Sequence, residues 1–193
     1  MMLYRAVPAT RLRPGEKIYR HEGRRLPGNV PYLVDNLWEY TRPHDGPSRR
    51  HGVYASPTPE LALQNAIAGG LPPSGYVACR LAFHYEPAVM QLTVSDARHH
   101  PDIRTLQQLV NRELGDRAGA GLADKLALAA LFLPGVTRQE LADAMAAAPL
   151  LDDLVRKAAA AVTFWSITPD QVAQDGELFF EIALDNYYTL DPV

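Results

Sequence analysis

The sequence predicts an α+β fold, and three observations carry that prediction. Strand-like stretches occur at both ends of the chain, at residues 3–7, 52–56, 76–83, 88–94, 163–167 and 177–184. Between residues 101 and 161 the apolar period changes from two to helical. The order strands, helices, strands is that of an α+β protein. At 193 residues and 47% apolar, the chain suits one well-buried domain. The expected organisation is a single domain over 1–193, with a β-rich core at 1–100 and 162–193 and a helical insertion at 101–161.

Taken in order, residues 3–7 read as a short strand stopped by Pro8. Residues 8–51 hold six of the sixteen prolines and little periodicity, and read mostly as loop and turn. So long an irregular stretch, here basic and aromatic, points to a contact or a cleft cover. Residues 52–56 form a second strand. Thr58 is a good N-cap and Pro59 a good first helical residue for a helix running to about residue 68, where Gly69-Gly70 ends it. In 76–83, Val77, Cys79, Leu81 and Phe83 share one face and Arg80 the other, the pattern of a half-buried strand.

In the helical block, Ile103, Leu106, Val110 and Leu114 form one stripe, and Leu122, Leu126, Ala129, Ala130 and Leu133 a second. Thr137-Arg138-Gln139-Glu140 is a capping box. Leu151, Leu154, Val155, Ala158 and Val162 make the last stripe, so four short alanine-rich helices are expected. In the final strand, 177–184, Leu178, Phe180, Ile182 and Leu184 are expected to face a core, with Glu177, Phe179 and Glu181 opposite.

Composition narrows the function classes. No uninterrupted apolar run approaches 18 residues, so no membrane span is expected. Pro8 interrupts the N-terminus before a signal-peptide core could form, so no secretory leader is expected. One cysteine, Cys79, rules out an intrachain disulfide framework and a multi-cysteine metal site, which suits a reducing cytoplasm. The net charge of −3 hides an asymmetry. Residues 1–59 carry ten Lys/Arg against five acids (+5), and the remainder nine against seventeen (−8). A basic first third could serve a phosphate-bearing partner or form a solvated face.

The phosphate-loop, dinucleotide-turn, HExxH and GxSxG signatures are all absent. The six histidines lie mostly in loops without ligand spacing, so no metal is expected. Three separated pieces form a better constellation. Arg5 lies in the first strand. Tyr54-Ala55-Ser56-Pro57-Thr58 ends the second, with Tyr54 and Ser56 projecting to the same side. Asp175-Gly176-Glu177 opens the last strand. Taken singly, Arg5 reads equally as an exposed strand residue, Thr58 as a helix cap and Asp175-Gly176 as a turn.

Together these pieces resemble the arginine-type motif set of the ADP-ribosyltransferase superfamily: an early-strand Arg, an aromatic-x-Ser-x-Ser type motif and a late E-x-E or Q-x-E. Residues 52–56 followed by Leu61-Ala62-Leu63 are also similar to RES-domain toxins, which consume NAD. Two departures are visible. Ser56-Pro57-Thr58 stands where the pattern prefers Ser-Thr-Ser, and the 101–161 block is not a standard family part. The resemblance covers roughly 1–95 and 160–185.

The resemblance implies a small split β-sandwich of ADP-ribosyltransferase type with an inserted alanine-rich helical subdomain. It implies NAD as substrate, Arg5 on the NAD phosphate or nicotinamide ribose, and Tyr54 and Ser56 on the nicotinamide side. Thr58 completes that motif, Asp175 takes the upstream acidic position, and Glu177 is the catalytic glutamate, with Glu181 as its alternative. A carboxylate there would stabilise oxocarbenium character as the glycosidic bond to nicotinamide breaks.

The implied activity is transfer of ADP-ribose to a macromolecular acceptor, protein rather than nucleic acid, by a toxin or effector acting in its own or a target cell's cytoplasm. An antitoxin or target protein is the implied partner. Alternatives are NAD glycohydrolysis or phosphorolysis of RES type, and a non-enzymatic adaptor or inhibitor.

Overall fold

A computed structural model describes residues 2–20, 28–67, 72–115, 121–167 and 173–193. In chain order the early elements are β1 (Tyr4–Pro8), β2 (Ile18–Tyr19), α1 (Tyr32–Thr41), β3 (Gly52–Ala55) and α2 (Pro59–Ile67). Next come β4 (Tyr76–Phe83), β5 (Val89–Gln91), α3 (Pro101–Gly115) and α4 (Leu122–Ala129). The chain closes with α5 (Arg138–Ala147), α6 (Pro149–Ala160), β6 (Leu178–Glu181) and β7 (Tyr187–Pro192). The fold is therefore mixed α+β, with six α-helices among the described residues and all strand pairs antiparallel.

The chain separates into two compact units. One comprises Met1–Gly23, Asp45–Asp96 and Thr168–Val193; the other comprises Arg24–His44 and Ala97–Ile167. The first holds every strand among the described residues, in two sheets of order β1-β4-β7-β2 and β3-β6-β5. An isolated bridge between Tyr4 and Ser56 joins them, with backbone N–H···O bonds of 2.9 and 2.8 Å in the two directions. Its core contains Leu3, Cys79, Leu81, Phe180, Tyr188 and Leu190. The alternation expected for β4 is realised: Cys79 and Leu81 are buried while Arg80 is exposed and bonds Asp191 across the ladder at 3.0 Å.

The second unit is helical. Pro149 opens α6 at its first turn, and Thr137 caps α5 in a reciprocal box with Glu140. Its core centres on Trp38, which stacks on Phe164 at 4.0 Å between ring centroids. Asp102, 2% exposed, is a hub there. It accepts hydrogen bonds from the Trp38 indole N–H at 2.9 Å, from the backbone N–H groups of Thr163 and Phe164 at 3.0 Å each, and from the Thr163 hydroxyl. A buried carboxylate is tolerable only when so many donors satisfy it.

Four expectations are corrected. Residues 8–51 are not mostly loop, because α1 occupies Tyr32–Thr41 with Leu33, Val34, Leu37 and Trp38 buried at helical spacing. Residues 163–167 are not a strand: Asp102 takes the Thr163 and Phe164 backbone donors that a strand neighbour would otherwise accept. The last strand stops at Glu181 rather than 184, and Leu184 is 77% exposed rather than core-facing. Phe179 is fully buried on the face expected to be open, so β6 is apolar on both sides.

Candidate functional site

The β-rich unit contains a small cleft of about 130 Å³ lined by Tyr4, Arg5, Ala6, Tyr54, Ala55, Ser56, Ala62, Asn65, Ala66 and Glu177. Four of the seven sequence-predicted site residues therefore meet in one place: Arg5, Tyr54, Ser56 and Glu177. They come from three distant stretches of chain, and the pairing of the sheets explains how. The Tyr4–Ser56 bridge lays the end of β3 against β1, and β6 pairs with β3 so that Ala55 stands opposite Leu178, the residue after Glu177.

Each side chain has a local cause for its position. Arg5 shares a strand face with Leu3 and Val7, so its guanidinium is drawn partly inside rather than standing free in solvent. Arg5 Nη1 donates to the hydroxyl of Tyr188 at 3.0 Å, and among the described residues this is its protein acceptor. A guanidinium carries five donors, so the remaining ones stay available to an anion in the cleft.

Ser56 is 4% exposed, with its backbone tied to Tyr4 and its hydroxyl accepting from Asn65 Nδ2 at 3.2 Å. Ala62, Asn65 and Ala66 sit at i, i+3 and i+4 of α2, which puts all three on the face turned to the cleft. Two of them are alanines, and small side chains leave the cleft open. Tyr54 is held by a bond from its hydroxyl to the Arg49 carbonyl at 3.3 Å, and its ring leans on Phe179 at 6.1 Å.

The turn before Glu177 is built with little slack. Glu177 N–H donates to the Val94 carbonyl at 2.9 Å, and Leu92 N–H donates to the Glu177 carbonyl at 2.8 Å. The Gln91 side-chain amide donates to the carbonyls of Ala173 and Gly176 at 3.1 and 3.2 Å. Gly176 is required by close approach, since a Cβ there would stand 2.0 Å from the Leu92 carbonyl oxygen.

The other three predicted residues lie outside the cleft lining. Thr58 Oγ1 accepts from Leu61 N–H at 3.2 Å, which is the bond of a helix cap. Asp175 is exposed on the turn. Glu181 lies four residues beyond Glu177, about 13 Å along an extended chain. It is occupied by an ion pair with Arg20 at 2.8 Å and by the Ser48 backbone N–H at 3.1 Å. Tyr85 donates to its backbone carbonyl at 3.4 Å, and burial is the main cause that raises the Tyr85 phenol pKa.

Asn65 and Tyr188 were missed by sequence reasoning. Asn65 had a usable signal, its helical spacing from Ala62; Tyr188 lies on a strand that was not predicted. Among the described residues, no group of three or more His, Cys, Asp or Glu is placed to hold a metal ion. No described helix is long and apolar enough to cross a membrane. No protein-family model, curated protein or solved structure matches this chain.

Proposed function

We propose that the cleft between β1, the end of β3 and the turn before β6 binds the nicotinamide-ribose end of NAD and cleaves its glycosidic bond, transferring ADP-ribose to a macromolecular acceptor. One observation carries this reading: Arg5, Tyr54, Ser56 and Glu177, singled out as one motif set, line a single cleft. The same set is the basis for proposing an ADP-ribosyltransferase-type architecture for the β-rich unit. A toxin or effector role follows from the harm that NAD consumption does to a cell.

The size of the cleft limits what it holds. Sites that engulf a drug-sized ligand run to about 300–1,000 Å³, so a volume of about 130 Å³ receives a ring and its nearest neighbours, not a whole dinucleotide. In this reading the nicotinamide ring lies against Tyr54 and the Ser56 hydroxyl bonds its amide. The free donors of Arg5 hold the adjoining phosphate by charge-assisted bonds. Glu177 accepts from a ribose hydroxyl and stabilises the positive charge that develops as neutral nicotinamide leaves. Asn65 fixes the Ser56 hydroxyl, and Glu181, already paired with Arg20, holds the far end of the sheet.

The test is nicotinamide release from NAD by the purified chain, measured by chromatography with and without cell extract as acceptor source. Glu177→Gln is expected to lower the rate about 100-fold or more, the cost typical of removing one electrostatic stabiliser. Glu181→Gln is expected to stay within about tenfold of the wild type. Free ADP-ribose accumulating without an acceptor would assign the chain to hydrolysis instead of transfer. Absence of release from the wild type, or wild-type release by Glu177→Gln, would sink the reading.

A further inference from the structure

The exposed face of the four-stranded sheet carries a row of rings that NAD chemistry does not use. Tyr19 on β2 and Tyr187 on β7 are direct cross-strand partners with centroids 5.5 Å apart. His84, next after β4, lies on the other side of Tyr187 at 4.4 Å. The three rings thus step across three neighbouring strands, β4, β7 and β2. Strand alternation puts them opposite Ile18, Phe83 and Tyr188, which pack into the core. Tyr19 is 55% exposed and His84 is exposed.

Two further features accompany the rings. The Lys17 ammonium stands 4.6 Å from the Tyr187 centroid. Beside the row is a depression of about 540 Å³ lined by Tyr19, Arg20, Leu184, Asp185 and Asn186. The described chain leading into β2 adds positive charge, with Arg11, Arg13 and Lys17 against Glu16, while Arg20 just after β2 is paired with Glu181 and Asp185 lies in the depression.

Cross-strand stabilisation would account for a Tyr–Tyr pair. It does not call for a third ring, a lysine over the middle one or a concavity at the rim. Exposed rings on a sheet with cations beside them are the chemistry that holds single-stranded nucleic acid, because every base offers a π face and every phosphate a charge. The excess of cations disfavours a basic peptide, and Leu184 alone among the lining residues offers an aliphatic anchor to an apolar one. We infer that the β4-β7-β2 face is a stacking platform for single-stranded nucleic acid, with bases on Tyr19 and His84 and phosphates on Lys17. The site lies towards the β2 edge of the sheet, while the cleft adjoins β1 at the opposite edge, so the inference does not depend on the NAD reading.

The experiment is fluorescence anisotropy of the full chain with labelled single strands of about 12 nucleotides, RNA and DNA, against a duplex of the same sequence. The expected result is single-strand binding that weakens as salt rises. Tyr19→Ala is expected to weaken it about tenfold, and Tyr19→Phe to retain it, since stacking needs the ring and not the hydroxyl. Lys17→Glu is expected to weaken binding and flatten the salt dependence, whereas Arg104→Ala in the helical unit leaves both unchanged. Circular dichroism of each variant checks that the sheet is intact. No binding up to about 100 µM chain, binding indifferent to Tyr19→Ala and Lys17→Glu in folded protein, or a duplex held as tightly as the single strands would each overturn the inference.

Discussion

Substituting Gly176 by alanine attacks the turn that carries Glu177 to the cleft. The added Cβ would stand 2.0 Å from the Leu92 carbonyl oxygen and 3.2 Å from that of Ala173. Both are backbone atoms, so relief requires the turn and the chain after β5 to part. The bonds at risk are the two between Glu177 and residues 92 and 94, at 2.8 and 2.9 Å, and the two from the Gln91 amide. A forced methyl group costs about 1–3 kcal/mol, and each lost bond about 0.5–1.5 kcal/mol. With one or two bonds lost, the expected local cost is about 1.5–6 kcal/mol.

Tryptophan emission would not see this, because Trp38 and Trp165 both belong to the helical unit. Hydrogen exchange at the Leu92 and Glu177 amides is the direct readout. Their exchange is expected to accelerate about 10- to 20,000-fold, the equivalent of that cost. Gly28→Ala is the control, since a Cβ there meets nothing within 4 Å. Wild-type exchange at both amides in Gly176→Ala would refute the claim that this turn has no room.

Other consequences are equally direct. Asp102→Ala leaves the Trp38 indole, the Thr163 backbone N–H and the Phe164 backbone N–H without their carboxylate. The Trp38 and Phe164 donors are buried and unmet buried donors cost about 1–3 kcal/mol each, so the helical unit is expected to lose about 2 kcal/mol or more, read as a lower urea midpoint by tryptophan emission. An unchanged midpoint would contradict the hub role. Burial, and then the nearby Asp191 charge, raise the Cys79 pKa above 9.0. The unfolded chain therefore releases this proton first, and stability falls as pH rises from about 9 through the higher folded value. Cys79→Ala is expected to flatten that alkaline slope, measured by urea unfolding followed by circular dichroism; equal slopes would rule the thiol out as its source.

Much of the fold was legible where one physical signal dominated. The period-two pattern in β4 and the Thr137–Glu140 box are local, and both formed as read. Arg5, Tyr54, Ser56 and Glu177 line one cleft, but their grouping came from the family resemblance and not from any local pattern. What escaped depended on tertiary partners. α1 was hidden because Pro31 and Pro43 read as turn markers, although Pro31 is the N-cap residue of the helix and Pro43 lies just past its end. Residues 163–167 looked like a strand because Phe164 and Trp165 favour one, yet a distant carboxylate claimed the backbone N–H groups of Thr163 and Phe164. β2 is only two residues long, and β7 ends in Asp191-Pro192, which reads as a turn. Missing β7 meant missing Tyr188 as the partner of Arg5, and Tyr187 as the centre of the ring row.

A structure of the Glu177→Gln variant with NAD tests the central claim most directly, since that substitution keeps the cleft's shape while slowing cleavage. The account predicts the nicotinamide ring against Tyr54, a ribose hydroxyl within hydrogen-bond reach of residue 177 and a phosphate on the Arg5 guanidinium. NAD seated elsewhere, or a cleft that stays empty at saturating NAD, would contradict it.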